Sequence, residues 1–139
     1  MRLVVDTNVL VSAFLWQGTP GRLIDLAGEQ EVQLFTSRAL IDELSEVLHR
    51  KKLAKDVQAT GLTPAQMIGR YRRLAQLVTA RKLVQQVSRD IDDDTVLACA
   101  LVAQADLIVS GDGDLLELKA YQGIPIVNPA GALTRLPQR

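Results

Sequence analysis

The sequence predicts a three-layer α/β fold, in which a central, mostly parallel sheet lies between two layers of helices. Short apolar, β-branched runs alternate along the chain with amphipathic, helix-like segments. Apolar residues make up 47% of the 139 residues, which is enough for the core of one domain spanning 1–139. Acidic residues directly follow two of the predicted strands, and the carboxyl edge of a parallel sheet is where such folds bind ligands.

The first half of the chain shows two strands and three helices. A strand over 2–6 is apolar and β-branched, and the helix over 37–50 has apolar residues at i, i+3, i+4 and i+7. In order, we expect a strand at 2–6, a helix from 9 to 16 that Gly18, Pro20 and Gly21 end, a short helix at 22–27, a strand at 32–36 and a helix at 37–50.

The second half begins with a loop or the tip of a helical hairpin at 52–62. Thr63 and Gln66 form a capping box around Pro64, so a helix starts here. We expect it to reach about Ala80, burying Met67, Tyr71, Leu74 and either Leu77 or Val78. Further on, we expect a helix at 92–103, a strand at 107–110, a short helix at 115–118, a strand at 124–127 and a terminal turn capped by Asn128.

Charge is distributed unevenly although the net charge is zero. Between His49 and Lys82 there are nine Lys or Arg and one acid, whereas between Asp90 and Glu117 there are eight acids and no Lys or Arg. One half could attract phosphate while the other holds a cation, or the basic residues are simply solvated helix faces. The single Cys99 lies in an apolar run and is interpreted as a buried hydrophobe, which fits a reducing cytoplasm; the N-terminus is neither a signal peptide nor a membrane span.

Four acidic patches are the candidate chemistry of the chain. Burying several carboxylates together costs several kcal/mol each, and a divalent cation relieves their repulsion. With one His and one Cys in the chain, all-oxygen ligation favours Mg²⁺ or Mn²⁺. The patches are Asp6 after the first strand, Glu43 on a helix, Asp92–Asp94 at a helix start, and Asp112 with Asp114 after the strand at 107–110.

Each patch leaves an alternative. Glu43 is either a solvated helix residue or a carboxylate at the border of the apolar stripe that reaches a strand end. Asp94 shares a helix face with Leu97 and Leu101, so we expect it to point inward as the ligand, leaving Asp92 and Asp93 to capping or outer contacts. Thr7 and Asn8 either support Asp6 through hydrogen bonds or form a local turn.

Taken together, these motifs make the chain similar to the PIN-domain ribonucleases, and in particular to the VapC-like toxins of bacterial toxin–antitoxin pairs. The matching stretches are Val4-Val5-Asp6-Thr7-Asn8-Val9-Leu10, the helix with Glu43, Asp92-Asp93-Asp94-Thr95-Val96-Leu97-Ala98-Cys99-Ala100, and Leu107-Ile108-Val109-Ser110-Gly111-Asp112-Gly113-Asp114-Leu115-Leu116. Ser110 stands where Thr is commoner in that family, which keeps the hydroxyl.

The resemblance implies one or two Mg²⁺ or Mn²⁺ ions, cleavage of single-stranded RNA, a frequent homodimer and a small antitoxin protein as partner. It selects Asp94 as the helix ligand beside Asp6 and Asp112, with Glu43 binding the ion or orienting water. Asn8, Ser110, Asp93 and Asp114 are expected to contact the ligands or the RNA. The basic residues expected to bind RNA phosphates are Arg50, Lys51, Lys52, Arg70 and Arg73.

Three other functions stay open from the sequence. The first is a nuclease of RNA processing or decay with no toxin role. The second is a non-catalytic domain that binds RNA or a protein partner. The third is a metal-dependent phosphohydrolase that acts on small phosphoesters.

Overall fold

A computed structural model of the chain describes residues 1–81, residue 87 and residues 91–136. The strands are β1 (Arg2–Val5), β2 (Gln33–Thr36), β3 (Ala75–Leu77), β4 (Leu107–Val109), β5 (Ala120–Tyr121) and β6 (Ile124–Val127). The helices are α1 (Thr7–Trp16), α2 (Gly18–Gly28), α3 (Arg38–Leu48), α4 (Ala54–Ala59), α5 (Pro64–Leu74), α6 (Ile91–Ala103), α7 (Gly113–Leu118) and α8 (Pro129–Arg135).

The strands form one sheet in the order β3-β2-β1-β4-β6-β5. All of the described pairings are parallel except that of the short β5 with β6. From β1 the chain moves outward through β2 to β3, and it then returns to place β4 and β6 on the other side of β1. The predicted mostly parallel sheet is confirmed.

Two apolar clusters lie on opposite faces of this sheet, as period-2 alternation along the strands requires. Leu3 and Val5 of β1 belong to one cluster with residues of α1, α2, α5 and α8. Val4, between them, belongs to the other cluster with residues of α6 and α7. Helices therefore cover both faces of the sheet, which confirms the predicted three layers. None of the helices in the described part of the chain is long and apolar enough to cross a membrane.

The predicted helix from 63 to about 80 is wrong in its last turns. Its start is as expected, because Thr63 and Gln66 form the capping box. The helix ends at Leu74, however, and the next three residues form β3 beside β2. Pairing of β3 with β2 gives hydrogen-bond partners to backbone groups of β2 that would be open if β2 were the edge strand. This gain outweighs the helical periodicity of the sequence. Of the two alternatives for the last buried residue, Leu77 is exposed, whereas Val78 is partly buried and packs against one of the apolar clusters.

Three smaller expectations also need correction. The break after α1 lies at Gln17 and Gly18, whereas Pro20 and Gly21 fall inside α2, where the first turn tolerates proline. The segment 52–62 contains a 3-10 turn at Lys51–Leu53 and then α4. The short antiparallel β5 was not predicted.

Candidate acidic site

Two of the acidic patches, Asp6 and the pair Asp112 and Asp114, follow neighbouring strands at the point where the order of the sheet reverses. β1 and β4 are neighbours, and from them the chain proceeds to opposite sides of the sheet. Asp6 directly follows β1, and Ser110 directly follows β4. The carboxyl ends of the two strands at such a switch point form a crevice, which is where open α/β sheets bind their ligands. The topology alone therefore places these residues at the most favourable binding position of the fold.

Asp6 is buried and stands at the start of α1, yet its side chain does not cap that helix. Its backbone N–H donates to Val109 O at 2.9 Å, which ties the residue to the end of β4. Its carboxylate Oδ2 accepts a hydrogen bond from the Ser110 hydroxyl at 2.8 Å. The backbone and side-chain bonds to Val109 and Ser110 therefore fix the Asp6 carboxylate against the end of the neighbouring strand.

Ser110 connects Asp6 to the loop that carries Asp112. Its fully buried hydroxyl donates to Asp6 and accepts the Asp112 backbone N–H at 2.9 Å. Asp112 in turn caps α7, because its Oδ2 accepts the Leu115 backbone N–H at 3.0 Å. A carboxylate has acceptor capacity on both oxygens, so one capping bond leaves Asp112 able to bind a cation as well.

The carboxylates of Asp93, Asp112 and Asp114 converge. One oxygen from each lies within 4.8 Å of the other two. Asp93 is only 5% exposed, and the other two are half-buried. Hard oxygen donors gathered from two helix starts are the ligands that Mg²⁺ and Mn²⁺ prefer, so this set fits such an ion. Asp6 adjoins the set through Ser110 and the loop of Asp112.

Asp94, the ligand chosen from the sequence, lies beside this group rather than in it. It is 9% exposed, and its Oδ2 accepts the Val87 backbone N–H at 2.9 Å. Asp93 and Asp94 are therefore both buried, so burial alone does not show which of them is the ligand. Geometry favours Asp93 as the third carboxylate of the cluster, whereas the sequence favoured Asp94. The side chain of Asp92 lies outside the described residues.

The remaining candidates have different positions. Glu43 is half-buried on α3, which starts directly after β2. Asn8 is exposed in the first turn of α1. The Thr7 hydroxyl is buried and has no hydrogen-bond partner in the described part of the chain, so its expected hydrogen bond to Asp6 is absent. Ser110 provides that bond instead.

The basic residues chosen from the sequence are all exposed. Arg73 lies two residues before β3, and since β3 is parallel to β2, that position is at the amino edge of the sheet, opposite the acidic edge. Arg50 also pairs with Glu46 at 3.6 Å. Two exposed arginines were not chosen: Arg38 lies in the first turn of α3 just after the carboxyl end of β2, and Arg81 comes four residues after the carboxyl end of β3.

A cleft of about 360 Å³ opens beside Asp112. Its walls come from the loop after β4, from the first two turns of α1 and from the starts of α2 and α8. The lining residues are Asn8, Val9, Ser12, Pro20, Gly111, Asp112, Gly113 and Pro129. A cleft of this size, with both polar and apolar walls and beside an acidic cluster, can hold part of a phosphorylated ligand.

Two buried side chains with ionisable groups, Cys99 on α6 and Tyr71 on α5, belong to the apolar clusters on opposite faces of the sheet. Burial raises the pKa of the Cys99 thiol to about 12, although a hydrogen bond with Ser37 offsets part of the shift. Burial also raises the pKa of the Tyr71 hydroxyl. A thiol with a raised pKa is a poor nucleophile, which confirms Cys99 as a small buried hydrophobe.

Comparison with known proteins gives the same fold. A family model described as PIN domain matches residues 2–114. The "Uncharacterized protein MJ1680" of Methanocaldococcus jannaschii is 29% identical over 129 residues, covering 86% of this chain and 76% of that protein. A chain of the crystal structure of VapBC2 from Rickettsia felis bound to a DNA fragment from their promoter superposes with a TM-score of 0.60 at 13% identity, covering 92% of this chain and 98% of that one. The family resemblance found in the sequence is thus confirmed.

Proposed function

Because the chain belongs to the PIN-domain family, we propose that it is a Mg²⁺- or Mn²⁺-dependent endoribonuclease that cleaves single-stranded RNA. The observation that carries the proposal is the convergence of the Asp93, Asp112 and Asp114 carboxylates at the carboxyl edge of the sheet. Without a cation, three carboxylates so close together would repel one another strongly. This arrangement of carboxylates is the one expected of a site that binds a divalent cation.

Asp93, Asp112 and Asp114 would hold the ion, with Asp6 and Glu43 as further oxygen donors at the same edge. A bound Mg²⁺ or Mn²⁺ supplies a water of lowered pKa and offsets the negative charge of a phosphodiester. Ser110 holds Asp6 in one orientation and fixes the Asp112 backbone, so it positions carboxylates from two strands relative to each other. Glu43, half-buried on α3, would orient a water or complete the donor set.

The RNA must approach an acidic edge, so cationic side chains have to offset the repulsion. Arg38 and Arg81 come after the carboxyl ends of β2 and β3 and would contact the phosphates nearest the cut. Arg50, Lys51, Lys52, Arg70 and Arg73 belong to the return segments between β2 and β3, and they would contact phosphates further along the strand. Each such contact adds to the salt dependence of binding.

We propose further that the nuclease is the toxin of a toxin–antitoxin pair. The support is the motif resemblance and the fold that the chain shares with VapBC2. Its partners would then be single-stranded RNA, a small antitoxin protein that blocks the acidic site, and a second copy of the chain. A nuclease of RNA processing with the same chemistry would lack the antitoxin.

The decisive experiment incubates the purified protein with an unstructured RNA in Mn²⁺, Mg²⁺ or EDTA, beside Asp6→Asn and Asp112→Asn variants. We expect cleavage that EDTA stops and that both variants lack. Lys55→Gln, a change at an exposed residue of α4, is the matched control and should cleave normally. If the folded wild type leaves several RNAs intact but hydrolyses a chromogenic phosphoester, the enzyme acts on small phosphoesters. If it binds RNA without cutting it in any metal, it is a binding domain.

A further inference from the structure

The largest side chain on the surface of α1 has no role in the chemistry described so far. Trp16 is the single tryptophan of the chain, and 56% of its surface is exposed. It belongs to neither of the two apolar clusters formed by the described residues. Exposing an indole forfeits the hydrophobic stabilisation that its burial would provide, and exposed aromatics often mark binding surfaces.

Helical geometry places Trp16 in line with the cleft beside Asp112. Asn8, Val9 and Ser12 of α1 all line that cleft, and Pro20 lines it from the start of α2. At about 100° per residue, Trp16 lies about 40° around the helix from Ser12 and about 20° from Val9. It therefore shares the sector of α1 that carries these cleft residues and lies one turn beyond Ser12, just outside the cleft lining. Ser12 before Trp16 and Pro20 after it both line the cleft, so Trp16 lies in the chain between two cleft residues.

The turn between α1 and α2, directly after Trp16, has an unusual backbone conformation. Gln17 and Gly18 both have positive φ values, 59° and 62°, so the chain turns sharply between α1 and α2. A left-handed conformation at a non-glycine residue is unfavourable and persists only where the surroundings impose it. The buried Gly21 packs against this turn, since an added Cβ there would lie 3.2 Å from Gln17 Cβ. Trp16 is thus presented from a rigid turn rather than from a loose end.

From these observations we propose that Trp16 is the stacking platform of a base-binding subsite, and that it binds an unpaired nucleobase of the RNA. The inference rests on the proposed nuclease function and adds a subsite to it. Along the helix axis, Trp16 is about 6 Å from Ser12 and about 12 Å from Asn8. Stacking needs an exposed face of the base, so paired RNA is excluded.

The single tryptophan provides the test, because all indole fluorescence of the chain comes from this residue. In an Asp112→Asn background that blocks cleavage, a short single-stranded RNA should quench the fluorescence, and a duplex of the same sequence should not. Trp16→Ala should weaken binding of the single strand by about 5- to 150-fold, whereas Trp16→Phe should keep most of the affinity. Val102→Ala, at a residue 46% exposed on α6, is the control and should bind normally.

An abasic scan locates the base and separates stacking from a general loss of affinity. In the protein with Trp16, one abasic position should cost about as much affinity as Trp16→Ala. In the Trp16→Ala protein, that same position should cost nothing further, because the two changes remove one interaction. With cleavage restored by Asp112, Trp16→Ala should raise KM and leave kcat nearly unchanged.

The possible failures are distinguishable. If Asp112-dependent cleavage proceeds but RNA neither quenches the indole nor depends on Trp16 for affinity, the base subsite is wrong and the nuclease stands. If Trp16→Ala weakens binding equally at every abasic position, the side chain is not a stacking platform. If the wild type neither binds nor cleaves any RNA, both proposals are wrong.

Discussion

The Ser110 hydroxyl donates to Asp6 Oδ2 at 2.8 Å and accepts the Asp112 backbone N–H at 2.9 Å, although 104 residues separate Ser110 from Asp6. One buried hydroxyl thus aligns the ends of two strands. Its proton is donated to Asp6 and its oxygen accepts the Asp112 N–H, so Ser110 supports the site through these two neighbours. This makes it a positioning residue with a defined test.

Ser110→Ala should destabilise the protein and weaken its metal binding. The variant removes one hydrogen bond from the buried Asp6 carboxylate and the side-chain acceptor of the Asp112 backbone N–H, at a cost of about 1–3 kcal/mol. Loss of a residue that orients a ligand typically lowers metal affinity by about 10- to 100-fold. Urea unfolding and Mn²⁺ titration measure the two effects. Ser110→Thr keeps the hydroxyl and should retain most of both; equal losses in the two variants would show that shape, not the hydroxyl, matters.

Asp93 and Asp94, which are adjacent on α6, should contribute differently to metal affinity. Asp93→Asn removes one of three converging carboxylates and should weaken Mn²⁺ binding by more than about tenfold. Asp94→Asn keeps an oxygen that can accept the Val87 N–H, so its affinity should change only a few-fold. Calorimetric titration of Mn²⁺ into both variants measures the difference. A larger loss in Asp94→Asn would restore the ligand chosen from the sequence.

The arginines at the two edges of the sheet should contribute differently to RNA binding. Arg38 follows β2 at the acidic edge, whereas Arg73 precedes β3 at the opposite edge. Replacing a phosphate-binding arginine by Gln lowers the slope of log K against log salt by about 1. With an RNA only a few nucleotides long, Arg38→Gln should show this change and Arg73→Gln should not. With a longer RNA, both should show it. An effect of Arg73→Gln on the short RNA would mean a different path for the strand.

Alkaline pH should destabilise the protein through Cys99 and Tyr71. Burial raises the pKa of the thiol from 9.0 to about 12, so the folded state keeps the proton that the unfolded state releases. This contribution is complete below pH 9 and is lost as pH rises toward 12. The free energy of unfolding should fall as pH rises across that range. For the Cys99→Ala variant it should fall less steeply with pH. At neutral pH, a thiol reagent should react with Cys99 only after denaturant unfolds the chain; rapid reaction with the native protein would contradict its burial.

The central strands could be predicted because β1, β2, β4 and β6 are short apolar runs that helices cover on both faces. β3 could not, because Ala75, Gln76 and Leu77 have no strand preference and continue a helical pattern. These residues form a strand only because they pair with the open edge of β2. Local periodicity cannot indicate such an edge, because the edge exists only after β2 has joined the sheet.

The same distinction holds at the site. Asp6 and Asp112 follow strands, so parallel topology alone brings them to one edge. Asp93 and Asp94 are adjacent on a helix, and their side chains diverge by about 100° around it. Which of them faces the loop after β4 depends on how α6 rotates as it packs against the sheet. That rotation depends on long-range packing, and no pattern within 91–103 indicates it.

The bond between Ser110 and Asp6 also has a consequence for the chain during its synthesis. Asp6 is made early, but Asp112 and Asp114 follow more than one hundred residues later, and β4 must insert beside β1 before the carboxylates can meet. Nascent chains that end before β4 therefore cannot assemble the acidic cluster, whatever secondary structure they form. If the mature protein cuts RNA, a nascent copy cannot cut the transcript or the ribosome that produce it until β4 and the loop of Asp112 and Asp114 have been synthesised and have folded.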